Sequence, residues 1–307
     1  MTTMLKLGTR GSPLALVQAR MTAAALCAAH GWAGEAVEIV IVSTTGDRVQ
    51  DRPLADIGGK ALWTKELEAA LFNQRIDIAV HSMKDVETRR PEDLVVAAML
   101  PRADVRDRLI GSVAHIGALP DGARLGTSSP RRAAQALSIR PDLRIVPLRG
   151  NVDTRLGKVA AGEVDATLLA AAGLDRLGRG NVGTAQPVEQ FLPAPGQGTV
   201  GIEARVADTT TRQLLAAITC PVTFAAVAAE RAVLDALGGS CHSALAAYAE
   251  LADGNMHLRA EILAADGHER VTGERHFAVA DAAGVAAELA SELLRGASPA
   301  LRANFAS

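Results

Sequence analysis

The chain of 307 residues carries a formal net charge of −2, is 49% apolar and 21% charged, and only 3% of its residues are aromatic. That length accommodates two or three domains, each with its own core. The near-neutral balance argues against a phosphate-backbone surface and the scarcity of aromatics against base stacking, so no nucleic-acid partner is expected.

Residues 1–13 lack the apolar core of a signal peptide, and no apolar run is long enough to span a bilayer. The three cysteines, Cys27, Cys220 and Cys241, are an odd number and widely spaced. That fits a reducing cytoplasm and neither a disulfide framework nor a zinc knuckle. No paired His, Cys or Asp spacing points to a metal. There is no Walker loop and no G-x-G-x-x-G following a strand.

Residues 5–7 read as a short strand. Ser12 caps a helix with Pro13 at its first position, running to about His30. Residues 37–43 form a β-branched strand, 63–73 a helix, 76–80 and 94–99 further strands. This alternation predicts a mostly parallel sheet with helices on both faces. Between them, residues 44–60 make a polar loop with glycine breakers, of the kind that serves as a lid.

A second α/β set follows: a helix from Pro130, a strand at 143–146, a helix from Val152 and a strand at 166–169. Leu7-Gly8-Thr9-Arg10-Gly11-Ser12-Pro13 is echoed by Leu125-Gly126-Thr127-Ser128-Ser129-Pro130-Arg131. Two similar α/β domains are expected, each offering a helix N-terminus to an anion, so that facing copies form a cleft. Pro193-Ala194-Pro195-Gly196-Gln197-Gly198 breaks the chain between domains, ahead of a strand at 199–204. Thr223 is expected to cap a helix through Leu237, ended by Gly238-Gly239. Strands at 256–263 and 273–279 and a helix at 282–294 complete a small α+β domain.

Between Arg124 and Arg155 stand seven arginines, no lysine and only two carboxylates, Asp142 and Asp153. Guanidiniums grip carboxylates with paired hydrogen bonds and keep their charge. The expected ligand is a small molecule with several negative charges. His81-Ser82-Met83-Lys84-Asp85 follows a strand, at the edge where open α/β sheets bind ligands. A carboxylate there can steady a developing cation or move a proton. Cys241 lies on a glycine-rich loop, where it is either a small buried hydrophobe or a reactive thiol.

Taken in order, these segments resemble the porphobilinogen deaminase (hydroxymethylbilane synthase) family. The likeness rests on Thr9-Arg10-Gly11-Ser12-Pro13-Leu14-Ala15-Leu16, Gly58-Gly59-Lys60, Lys65-Glu66-Leu67-Glu68 and His81-Ser82-Met83-Lys84-Asp85-Val86. It continues through Gly126-Thr127-Ser128-Ser129-Pro130-Arg131-Arg132, Leu148-Arg149-Gly150-Asn151, Thr154-Arg155-Leu156 and Ala172-Gly173-Leu174-Asp175-Arg176-Leu177-Gly178. Pro195-Gly196-Gln197-Gly198, Ala229-Glu230-Arg231-Ala232 and the Gly-Ser-Cys241 loop close it. Two departures are His242-Ser243-Ala244-Leu245, where the family more often has a proline, and Trp63, where phenylalanine is common.

The resemblance implies a transferase of porphyrin and heme biosynthesis that joins four porphobilinogen molecules, releasing ammonia at each addition, and then frees the linear tetrapyrrole. It implies a dipyrromethane cofactor in thioether linkage to Cys241, with Asp85 facing the pyrrole N–H groups as the catalytic residue. Lys84, Thr127, Ser129, Arg131 and Arg132 would hold cofactor carboxylates. Arg10, Ser12, Arg149, Arg155 and Arg176 would hold the incoming ring or growing chain, and Lys60 would lie on the lid. The implied architecture is α/β with three domains. Two are periplasmic-binding-protein-like, 1–99 with 197–218 and 100–196, and the third is a small C-terminal α+β domain, 219–307. A cytoplasmic monomer without a membrane partner is expected. A two-lobed polycarboxylate binder without chemistry is the alternative, as is a cysteine hydrolase using a free Cys241.

Overall fold

A computed structural model describes residues 5–43, 64–240, 243–252 and 254–305. The chain divides into two compact units, Met1–Ala103 with Thr199–Phe224, and Asp104–Gly198 with Ala225–Ser307. In chain order the first stretch contains β1 (Leu5–Thr9), α1 (Pro13–His30), β2 (Val37–Ile41), α2 (Lys65–Phe72), β3 (Ile78–Ser82) and β4 (Leu94–Met99). The second stretch contains β5 (Asp107–Gly111), β6 (Arg124–Gly126), α3 (Pro130–Ile139), β7 (Arg144–Val146), α4 (Val152–Ala160), β8 (Ala166–Ala170), α5 (Ala171–Arg176) and β9 (Thr184–Ala185). Then come β10 (Val200–Arg205), α6 (Thr209–Ala216), α7 (Pro221–Ala236), β11 (Leu245–Ala252), β12 (Asn255–Leu263), β13 (Arg270–Ala278), α8 (Ala282–Gly296) and α9 (Pro299–Arg302).

Two five-stranded sheets share one plan, β2-β1-β3-β10-β4 and β7-β6-β8-β5-β9. In each, one strand pairs in parallel with two others, β1 with β2 and β3, β6 with β7 and β8. In each, the fourth strand runs antiparallel to both neighbours. The sequence echo is thus a structural repeat. Its glycines have a common cause. A Cβ on Gly126 would lie 2.8 Å from Leu148 Cδ2, and one on Gly8 would collide with Ile76.

The sheets are mixed where a mostly parallel one was expected. In the first sheet the fourth strand, β10, returns from a later stretch of chain, and in the second it is β5, the first strand of its stretch; neither is joined to a neighbouring strand by a single crossover helix that would make it run parallel. β3 also begins later than 76. The amides of Arg75 and Ile76 still bond to Ala70 O, and Gln74 sits at φ 55°, so α2 unwinds through those residues. His81 and Ser82 therefore belong to the strand, and a 3-10 turn carries Met83, Lys84 and Asp85. Thr223 does not cap α7. The amide of Phe224 bonds to Cys220 O at 2.9 Å, while Thr223 Oγ1 accepts from the Arg102 amide.

The remaining sheet, β11-β12-β13, has three strands. Leu258 and Ile262 of β12 meet Val233 of α7 and Leu289 and Leu293 of α8 in its core. A separate core around Leu109, Leu125, Leu168 and Phe191 serves the second five-stranded sheet.

Candidate functional site

The parallel pairing of β1 with β3 puts their carboxyl ends on one edge of the first unit. Arg10 and Ser12 follow β1; Lys84 and Asp85 follow β3. Arg10, Ser12, Gln18, His81, Ser82 and Asp85 line one pocket there. Ser12 Oγ accepts from the Ala15 amide at 3.3 Å, capping α1. Gln18, buried one turn into that helix, donates to Ser82 Oγ at 2.8 Å. That bond ties the helix start to the end of β3. Asp85 is exposed.

Beneath this edge lies a buried charge chain. His81 Nε2 stands 3.0 Å from Glu203 Oε2, and Arg90 donates to Glu203 Oε1 through Nε at 2.9 Å and Nη2 at 2.6 Å. Arg90 Nη2 also lies 3.0 Å from Glu68. Burial alone would raise the Glu203 carboxyl, but the His81 hydrogen bond and the Arg90 charge hold it below its ordinary range. An ionised carboxylate only accepts, so His81 Nε2 carries the proton of this bond.

In the second unit the same edge is formed by β6, β7 and β8. Thr127 and Ser129 follow β6, Arg149 follows β7, and Arg176 ends α5 beyond β8. Ser128 Oγ bonds to both the amide and the carbonyl of Leu148 at 3.1 Å, locking the first two loops together. Ser129 caps α3 by accepting from the Arg132 amide, and Asn151 caps α4 by accepting from Thr154. Arg155 Nε donates to Gly150 O at 3.0 Å. Thr127 Oγ1 accepts from the Ser129 amide. The hydroxyls of Thr127 and Ser129 each keep a proton to donate.

Arg131 and Arg132 are buried, at 4% and 5% exposure, around a fully buried Asp107. Arg132 Nη2 meets Asp107 Oδ1 at 2.6 Å and Arg131 Nη2 meets Oδ2 at 2.8 Å. Arg132 Nη1 donates to Leu168 O, and Arg131 Nη1 to Leu192 O and Gln135. Burial would raise Asp107, but the charges of Arg132 and Arg131 outweigh it and hold the carboxyl far below its usual range. Burial pulls Arg131 down while Asp107 pushes it up. The net direction is downward, with burial the larger influence.

Gln135 reaches Glu261, which pairs with Arg270. The assembly therefore sets three guanidiniums against two carboxylates. The Nε–H groups of Arg131, Arg132 and Arg176 are buried without a hydrogen-bond partner. Such donors are costly to leave unmet. Arg176 gives Nη2 to Gly198 O at 2.7 Å, and burial lowers it.

Arginine density alone was a blunt guide. Arg124 is taken by Asp165, and Arg140 by Asp142 and Asp121. Both brace turns. Sequence reasoning missed Asp107, Glu203 and Gln135. Two of them left a signal: Asp107 precedes Leu109-Ile110, and Glu203 interrupts Val200-Gly201-Ile202. A carboxylate inside an apolar strand needs a buried partner. Lys60, Trp63, Cys241 and His242 lie outside the described residues.

A family model described as "Porphobilinogen deaminase, dipyromethane cofactor binding domain" matches residues 5–213. Another, "Porphobilinogen deaminase, C-terminal domain", matches residues 224–295. A porphobilinogen deaminase of Sphingopyxis alaskensis is 59% identical over 307 residues, covering 98% of this chain and 96% of that protein. One from Paracoccus denitrificans is 51% identical over 299 residues, covering 96% and 95%. Among solved structures, the periplasmic VFT2 domain of Bordetella pertussis BvgS aligns at 17% identity and a TM-score of 0.41, over 70% of this chain and 86% of that one. With both family models together spanning most of its length, the chain belongs to the porphobilinogen deaminase family.

Proposed function

We propose that Asp85 is the catalytic group of this chain and that the guanidiniums of the second unit receive carboxylates. The reaction is the stepwise head-to-tail condensation of four porphobilinogen molecules on a dipyrromethane cofactor, with release of ammonia and then of the linear tetrapyrrole. It is a step of porphyrin and heme biosynthesis.

The residues present fit that cofactor. A dipyrromethane carries acetate and propionate arms, and the unmet Nε–H donors of Arg131 and Arg132 sit amid surplus positive charge. Those two residues would hold the arms, with Thr127 and Ser129 donating from their hydroxyls and Lys84 adding an ammonium. Cys241 would anchor the group through sulfur. When bound, it supplies the pyrrole carbon to which substrate is joined.

Asp85 would set its carboxylate against the positive charge that grows on porphobilinogen as ammonia leaves, and would then take up a proton. Arg10 and Ser12 line the same pocket and would orient the ring's acidic arms. Arg149, Arg155 and Arg176 would do so for the growing chain, and Lys60 would act from the lid. Separate apolar cores in the second unit support a three-domain division: 1–99 with 197–218, 100–196, and 219–307. We further infer a monomer acting in the cytoplasm.

The pocket uniting Arg10, Ser12 and Asp85 carries this reading. Intact-mass measurement on an active preparation tests it. The protein is expected to be heavier than its polypeptide by one dipyrromethane, with the added mass mapping to Cys241. An active preparation of bare polypeptide mass would end the assignment.

A further inference from the structure

We propose that His81, Glu203 and Arg90 form a brace that positions Asp85, a role resting on the assignment of Asp85 above. The segment 81–90 carries Lys84 and Asp85 on a short 3-10 turn. Both of its ends are pinned to one side chain. His81, at the start, takes Glu203 Oε2 at 3.0 Å; Arg90, at the end, takes Oε1 through Nε at 2.9 Å and Nη2 at 2.6 Å. Glu203 is fully buried, and His81 is 6% exposed. Neither oxygen can be left unmet without burying an unpaired charge.

The middle of the segment is held as firmly. The Met83 amide bonds to Thr199 O at 3.1 Å, and the Val86 amide to Met83 O at 3.2 Å. Met83 is buried over Gly201, the residue opposite His81 on β10, where any Cβ would collide with its sulfur. Asp85 is the exposed residue of this turn. The direction of its carboxylate depends on the backbone beneath. His81 also lines the pocket with Arg10, Ser12 and Asp85, which makes it the contact through which the brace meets the site.

The brace therefore acts on turnover through Asp85, not on substrate affinity. His81→Ala is expected to lower kcat about 10-fold or more while KM stays within about twofold, because misplacing a reacting group by an ångström is enough for such a loss. His81→Gln, whose amide can still donate to Glu203, is expected to recover most of it. In an Asp85→Asn background the His81→Ala change is expected to have no further effect on the residual rate, since residues acting as a unit are non-additive. Glu203→Gln should reproduce the kcat loss at unchanged KM if His81→Ala folds poorly, with intact mass confirming the loaded cofactor.

Equal fractional losses in the parent and Asp85→Asn backgrounds would overturn the brace, as would wild-type kcat in His81→Ala beside an inactive Asp85→Asn. Wild-type turnover in Asp85→Asn itself would instead remove the catalytic assignment and the brace with it.

Discussion

Asp107 and Arg132 meet at 2.6 Å with both side chains shut away from solvent. Arg131 shares the same carboxylate from its other oxygen. Removing that one negative charge would leave two guanidiniums buried side by side. Breaking a buried pair in this way typically destabilises by about 3–5 kcal/mol. Asp107→Asn is therefore expected to lower the urea midpoint sharply. An unchanged midpoint would mean that bound carboxylates, not Asp107, neutralise the pair.

The same carboxylate makes the fold sensitive to acid. Its folded-state value lies far below the ordinary 3.8. A group depressed on folding contributes its full stability above the unfolded value, and that contribution is lost as pH falls towards the folded one. Stability is expected to decline below about pH 4 in the parent protein. Asp107→Asn should show a shallower decline over the same range, followed by circular dichroism. Parallel acid limbs in the two proteins would exclude Asp107 as a source of this sensitivity.

Local chemistry made much of the scaffold legible. Ser12 and Ser129 announce their helices because a capping hydroxyl acts within three residues of itself, and both caps are formed. The echo between Gly8 and Gly126 was readable because both meet bulky side chains behind the sheet. Partners far along the chain were not readable. His81 finds Glu203 across 122 positions, and Arg131 finds Asp107 across 24. β11 was missed for another reason. Its run Leu245-Ala246-Ala247-Tyr248-Ala249 is rich in the best helix former, and pairing with β12 overrides that preference.

The repeat in the two sheets predicts matching weaknesses. Gly8→Ala would drive a methyl into Ile76, and Gly126→Ala would place one 2.8 Å from Leu148 Cδ2. Overpacking of this kind costs about 1–3 kcal/mol. Both variants are expected to lower the urea midpoint with little change in slope, Gly8→Ala more so because Ile76 is fully buried. A midpoint at the parental value for either would show that its sheet can open without penalty.

Arg132→Lys separates charge from geometry beside Asp107. An ammonium can still pair with Asp107, but it cannot also reach Leu168 O and keep a third donor directed elsewhere, as the guanidinium does. If the unmet Nε–H of Arg132 serves a cofactor carboxylate, the lysine variant forfeits one charge-assisted hydrogen bond, worth about 1.5–3 kcal/mol. That corresponds to roughly 10- to 150-fold weaker capture of the cofactor before its bond to sulfur forms. The expected outcome is a folded protein in which a smaller fraction carries the dipyrromethane mass. Arg124→Lys, at the start of β6 and paired with Asp165, serves as the control and should leave that fraction unchanged. Equal loading in both variants would mean that Arg132 is a structural partner of Asp107 and nothing more.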